Sequence, residues 1–170
     1  MMEIQTACNQ LNTQGQAILN LAGGLALAQA RWKPDSDSWS VLEVLNHLVD
    51  EEALDFRRHL NHILHTPDQP WPEIDPQGWV TSKHYNERQL EETLAAFAAE
   101  REKSIAWLQS LGVPNFDSVV PMPWGSLSAG DMLASWLAHD LLHLRQLIEL
   151  RYALTQDASA PFSVEYAGGW

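Results

Sequence analysis

"ASWLAHDLLHLRQLIELRY", residues 134–152, reads as one uninterrupted helix. On a helical wheel at about 100° per residue, Met132, Trp136, His139, His143, Leu147, Leu150 and Leu154 fall within an arc of roughly 80°. Asp131, Ser135, Arg145, Gln146 and Glu149 lie on the far side. Both imidazoles therefore point inward among apolar side chains. Their i, i+4 spacing puts the Cβ atoms ~5–6 Å apart. That suits two nitrogens at roughly 2.1 Å from one ion. It also suits two buried histidines bonded to carbonyls or water, and a third ligand would decide between the two.

Working outward, three more segments show helical periodicity. The first covers about residues 3–30, with Ile4, Cys8, Leu11, Gly15, Ile18, Ala22 and Leu25 on one stripe and a weak point at Gly23-Gly24. The second opens at Ser40, which forms a capping-box pair with Glu43, and runs to about His65, where the proline-rich "TPDQPWPEIDP" stops it. The third begins near Asn86 and ends near Leu111-Gly112, with a stripe of Leu90, Leu94, Phe97, Arg101, Ile105 and Leu108. Ser128 and Asp131 resemble a second capping box and open the fourth helix, which lasts to about Leu154. "FDSVVPM" in the last linker suits a short extended piece. Four such amphipathic helices predict an all-α four-helix bundle, one domain over residues 1–170 with an irregular tail from about 155. The first connection is short and favours antiparallel neighbours. The linker at about 66–85 is long enough to cross the length of the bundle.

The composition narrows the function. The chain has 170 residues, 10 Lys plus Arg against 22 Asp plus Glu, and a formal net charge of -12. Such acidity repels phosphate backbones and anionic lipid, which argues against nucleic-acid and membrane partners. No apolar run reaches the ~20 residues of a membrane span, and "MMEIQTACNQ" has no secretory pattern. A cytoplasmic protein with a small-molecule substrate is expected. The single cysteine, Cys8, excludes an intramolecular disulfide or a cysteine zinc cluster. It falls on the inward stripe and reads as a small apolar residue.

Seven histidines are available as a third ligand. His59, His62 and His65 read as cationic residues near a helix C-terminus, and His84 lies in a linker. His47 borders the apolar face of Val41, Val44, Leu45, Leu48 and Phe56. Glu51 and Asp55 follow it at i+4 and i+8. That polar strip suits a solvated face, or a ligand followed by carboxylates for proton transfer.

"WSVLEVLNHLVDEE" (39–52), followed by "LASWLAHDLLHLRQLIELRY" (133–152), resembles the DinB-like superfamily of metal-binding four-helix bundles. Those proteins pair a W-S-x-x-E-x-L-x-H-L helix start with a later H-x-x-x-H-x-x-Q helix. The "YAGGW" ending is similar to that of many members. The resemblance implies His47, His139 and His143 as metal ligands. It implies an up-down-down-up topology with the crossover between helices 2 and 3. It also implies a divalent ion, nickel or zinc in the first place with iron allowed by the ligand chemistry, and a homodimer. Characterised members include thiol S-transferases and a thiol-dependent isomerase, and others are assigned as metal-dependent hydrolases. The expected activity is metal-assisted transfer of a low-molecular-weight thiol, with a hydrolase or a non-catalytic ligand-binding bundle as alternatives. Glu51 is the candidate proton acceptor.

Several readings compete at single residues. "HDLLH" differs by one carboxylate from the H-E-x-x-H of zinc peptidases, which would make Asp140 a base. A di-iron centre would need two E-x-x-H motifs, and only Asp140 with His143 has similar spacing. Arg101 sits on an apolar stripe, where it either pairs with an acidic neighbour or holds a substrate carboxylate. Trp107, opposite that stripe, is a candidate for a dimer surface. Phe162, Tyr166 and Trp170 lead us to expect that the tail packs back on the bundle.

Overall fold

The computed structural model describes residues 3–169. The bundle is built from α1 (Ile4–Ala22), a second helix over residues 41–65, α6 (Leu90–Ser110) and α7 (Ala129–Ala158). The second helix has three parts: α3 (Val41–Asp50), a wide turn at Glu51–Phe56, and α4 (Arg57–His65). Two short helices decorate the connections, α2 (Leu27–Arg31) and α5 (Pro76–Ser82). A two-stranded antiparallel hairpin, β1 (Val119–Met122) with β2 (Gly125–Ser128), precedes α7. It contains part of the extended piece anticipated at 116–122.

Local chemistry sets the boundaries. Glu43 N–H donates to Ser40 Oγ at 3.1 Å and Ser40 N–H to Glu43 Oε2 at 2.8 Å, a reciprocal cap on α3. Ser128 and Asp131 cap α7 in the same way, at 3.0 and 3.1 Å. The first helix ends at Ala22 and does not continue to residue 30. Gly24 takes a φ of +71°, a left-handed turn that glycine adopts without a Cβ penalty. The third starts at Leu90, because residues 85–87 form a separate 3-10 turn.

The pairing of side chains gives the helix directions. Asn46 bonds Thr93 while Arg57, farther along the same helix, bonds Glu100 and Ser104, so the second and third helices run parallel. The Cys8 thiol reaches the carbonyl of Ile105, and the Leu11 carbonyl accepts from the Arg101 guanidinium, so α1 opposes α6. Phe56 stacks on Trp136 and His47 meets His143, so the second helix opposes α7. The result is up-down-down-up. Residues 66–89 return along the second helix: Trp71 packs near its end, while Lys83 and Tyr85 both donate to Asp50 and Arg88 to Asn46 near its start.

The core is divided. One apolar cluster gathers Cys8, Leu11, Leu60, Ile63, Leu108, Leu133 and Trp136. The other gathers Ile18, Leu42, Leu45, Leu48, Phe97 and Leu147. Between them lies a buried polar layer centred on Arg101, which is 5% exposed. Its guanidinium donates to both Asp140 oxygens at 2.6 and 2.9 Å and to the Leu11 carbonyl at 2.7 Å, and it lies 2.7 Å from Glu52 Oε1. Trp136 Nε1 donates to Glu52 at 3.1 Å. All four bundle helices meet in this layer. Gly15 belongs to it too, since a Cβ there would lie 3.3 Å from Arg101 Cγ.

Two expectations need correction. His59 and His62 are buried and not solvated at the helix end, and only His65 of the three is exposed. His59 donates from Nε2 to the Pro72 carbonyl at 2.8 Å and stacks on Trp71 at 4.2 Å, so it anchors the crossover. In the tail, Phe162 is 79% exposed and Tyr166 fully so, while Trp170 lies outside the described residues. The helix runs four residues beyond Leu154 and the chain then turns on itself, with Phe162 N–H bonded to Ser159.

Arg101→Met strands two buried carboxylates and should lower the unfolding free energy by about 3–5 kcal/mol. Arg101→Met/Glu52→Met/Asp140→Leu should recover most of that loss. Urea unfolding of the three proteins checks it. A single variant as stable as the parent would show that the cluster contributes little.

Candidate metal centre

Three imidazoles meet at the wall of a cavity. His47 comes from α3, and His139 and His143 from successive turns of α7. His139 Nε2 lies 3.4 Å from His47 Nε2 and 3.1 Å from His143 Nε2. Two nitrogens each ~2.1 Å from one ion stand about 3.0 Å apart at a right angle and about 3.4 Å apart at a tetrahedral one. The observed separations span that interval, so the residues present fit a divalent ion. Among the described residues these three form the group able to hold a metal, with one ligand atom from each within 4.8 Å of the others.

The surroundings aim the nitrogens. Gln146 and Glu149 are not on the far side of α7 but line the cavity with the histidines. His143 Nδ1 donates to Gln146 Oε1 at 2.8 Å, which leaves the Nε2 lone pair directed at the shared point. Aromatic rings hold the imidazoles: Trp39 stands edge-on to His47 at 4.9 Å and stacks over His143 at 6.5 Å, and Phe56 lies 4.9 Å from His139. Burial, and then the His143 charge, hold His47 down at about 3. Burial and the two neighbouring histidines hold His139 at about 3 as well. Burial also lowers His143, against the opposing pull of its Gln146 hydrogen bond. All three are neutral at physiological pH, the form that binds metal. Proton competition for a metal thus begins below the unperturbed histidine value of about 6.5.

Glu51 is 3% exposed and faces the same cavity. Its Oε1 sits 3.9 Å from His47 Nδ1, and neither atom has a hydrogen-bond partner. Burial first, then Asp55 and Asp50, push the Glu51 carboxyl up to about 9. The turn at Glu51–Phe56 explains how consecutive acids both turn inward. Arg57 N–H bonds the Glu52 carbonyl five residues back, a widened turn that carries one extra residue. Glu51 then reaches the cavity and Glu52 reaches Arg101.

Arg101 does not join the site. It is absent from the cavity wall, and its two terminal nitrogens are engaged by Glu52, Asp140 and Leu11. The pairing reading holds, and the role as holder of a substrate carboxylate is corrected. Asp140 is likewise occupied by Arg101 and 1% exposed, so it is no peptidase base. The cavity, about 620 Å³, is also lined by Pro34, Asp37, Trp39, Pro76, Gln77 and Glu149. Of these, Trp39 stood in the quoted motif. Asp37 and Gln77 come from loop and crossover, where no periodicity marks a side chain as facing a site.

The depressed histidines carry a pH signature. An unfolded chain takes up protons near 6.5, but the folded imidazoles resist until about 3. Stability is therefore present above about 6.5 and is lost as pH falls toward 3, by up to ~1.4 kcal/mol per pH unit for each imidazole. Glu51 acts in the opposite sense, because its folded pKa is raised. In metal-free Glu51→Gln protein, the melting temperature should drop between pH 6.5 and 4.5. Adding His47→Gln/His139→Gln/His143→Gln should flatten that slope. An unchanged slope would place protonatable imidazoles in the folded state.

A family model described as the DinB superfamily matches residues 10–147. Among solved structures, the chain is similar to YfiT from Bacillus subtilis, described as a probable metal-dependent hydrolase with an unusual four-helix bundle topology. The TM-score is 0.76 at 16% identity, over 89% of this chain and 87% of that one. A comparison with curated protein sequences found no match. The profile match, the crossover bundle and the converging histidines place this chain in the DinB superfamily.

Proposed function

We propose that this protein is a divalent-metal-dependent enzyme in which His47, His139 and His143 hold the ion, and that it transfers a low-molecular-weight thiol to a small electrophile. The observation that supports this most is the convergence of three neutral imidazoles on one wall of an open cavity of about 620 Å³. Three protein ligands characterise reactive sites, whereas closed structural sites use four. A divalent ion there would supply the positive charge that lowers the pKa of a thiol or of water. Nickel and zinc both accept imidazole ligands, as does iron.

The chain's own residues do the rest. Gln146 fixes the tautomer of His143, and Trp39 and Phe56 restrain the rings. Glu51 holds a proton at neutral pH and faces the cavity, so its carboxyl exchanges protons with the nucleophile or the leaving group. Trp39, Pro34 and Pro76 line the apolar part of the cavity. A second reading, hydrolysis, uses the same residues with water in place of the thiol. It is favoured by the description of YfiT as a probable metal-dependent hydrolase.

Metal analysis of protein purified without an affinity tag is the first test. His47→Ala, His139→Ala and His143→Ala should each reduce metal content at least tenfold, whereas His65→Ala, at an exposed position, should not. Full occupancy in His47→Ala would remove the second helix as a donor. Glu51→Gln should keep its metal and lose about 10²–10⁴-fold in turnover. Metal-dependent consumption of a supplied thiol with a model electrophile supports transfer. Turnover of an activated ester without thiol supports hydrolysis instead.

A further inference from the structure

We propose that the cavity over the three histidines selects ligands whose body is neutral or cationic, and discriminates against an anionic tail. This rests on the metal reading above and names the substrate class that the site accepts. Its basis is the composition of the wall. Asp37, Glu51 and Glu149 line the cavity, and no lysine or arginine is among the lining residues described. The remaining polar groups of the wall, Ser38, Gln77 and Gln146, are uncharged, and Trp39 adds an aromatic surface that attracts cations.

Lys33, Lys83, Arg101 and Arg145, on neighbouring segments, are paired with acids and lie outside the wall. Lys33 is held by Glu43 at 2.7 Å and Lys83 by Asp50 at 2.9 Å. Arg101 is buried in its own cluster. Arg145 reaches Glu149 at 3.3 Å, but its side chain is 73% exposed and outside the wall. A bound divalent ion would attract the one anionic atom that ligates it. The rest of the ligand meets carboxylates. Glu51 does not alter the conclusion, since a carboxyl is neutral or negative and never positive. Asp37 comes from the loop before α3 and Glu149 from α7, nearly two turns beyond His143, so two separate elements each bring an acid to the wall. An anionic tail therefore has no partner, and like charges repel it in a partly enclosed space.

The test uses the cobalt(II)-loaded full chain, whose visible and near-ultraviolet bands report ligand binding to the metal. Two series are titrated at low ionic strength. One contains thiocholine, ethanethiol and 2-mercaptoethanesulfonate. The other contains the hydroxamates of betaine, 3,3-dimethylbutyrate and sulfoacetate. Quaternary ammonium and alkyl groups cannot ligate a metal and sulfonates do so weakly, so each series varies charge on a constant metal-binding atom set. The expected order in both is cation, then neutral, then anion, with about tenfold between the ends, shrinking in 0.5 M salt as exposed charges are screened. Asp37→Asn/Glu149→Gln should reduce the span to less than about twofold, and Arg145→Ala should widen it.

Anionic members that bind as tightly as cationic ones overturn the proposal, as does a span unchanged in Asp37→Asn/Glu149→Gln. If the hydroxamates keep the order while no thiol perturbs the cobalt bands, the charge selection stands and thiol transfer is the reading that fails. A protein that takes up no cobalt overturns the metal site and the selection together.

Discussion

A guanidinium inside a helical bundle is tolerated only when its charge is paired, because transfer from water costs several kcal/mol. Arg101 meets that condition through Glu52, Asp140 and the Leu11 carbonyl, one partner from each of the other three helices. Burial alone would lower its pKa, but the two carboxylates hold it above its usual value, so it stays cationic. The geometry of the bundle follows from this layer. A slip of any helix would separate an acid from the guanidinium, so the ion cluster sets the relative heights of the helices more sharply than the two apolar clusters can. Gly15, costly inside a helix, is explained by the same side chain passing against it.

That layer sits directly beneath the histidines. Asp140 follows His139 in sequence and Glu52 follows Glu51, so each structural acid is tethered to a residue of the site. A bidentate contact to Asp140 fixes the rotation of α7, and this in turn decides where His139 and His143 point. The wide turn at Glu51–Phe56 performs the corresponding task on the second helix. The site is thus held by regular elements braced by buried charge, while the loop residues Asp37 and Trp39 and the crossover residues Pro76 and Gln77 complete its wall. Such a division lets loops change what enters without disturbing the ligands.

The crossover has two parts in this arrangement. It permits parallel second and third helices, and it returns chain to the mouth of the cavity. Its anchors are polar and aromatic: His59 with Pro72 and Trp71 at one end, Tyr85 and Lys83 with Asp50 at the other. The buried histidines His59 and His62 thereby serve packing, and His47, His139 and His143 serve the site, although all five belong to the same residue type on neighbouring helices.

Sequence alone determined the features that depend on local period and local capping. The helix count, the capping boxes at Ser40 and Ser128, the inward pair His139 and His143 and the border position of His47 are properties of spacing along one helix. The length of the 66–85 linker made a parallel pair feasible. Tertiary structure decided everything that depends on which helix faces which. It joined His47 to the pair across the bundle, assigned Asp140 to Arg101 and not to catalysis, and buried His59 and His62. It also left Phe162 and Tyr166 in solvent. The physical reason is that periodicity specifies a face but not its partner. A buried charge, a widened turn or a loop-borne carboxylate takes its role from atoms far away in the chain, and no single segment carries that information.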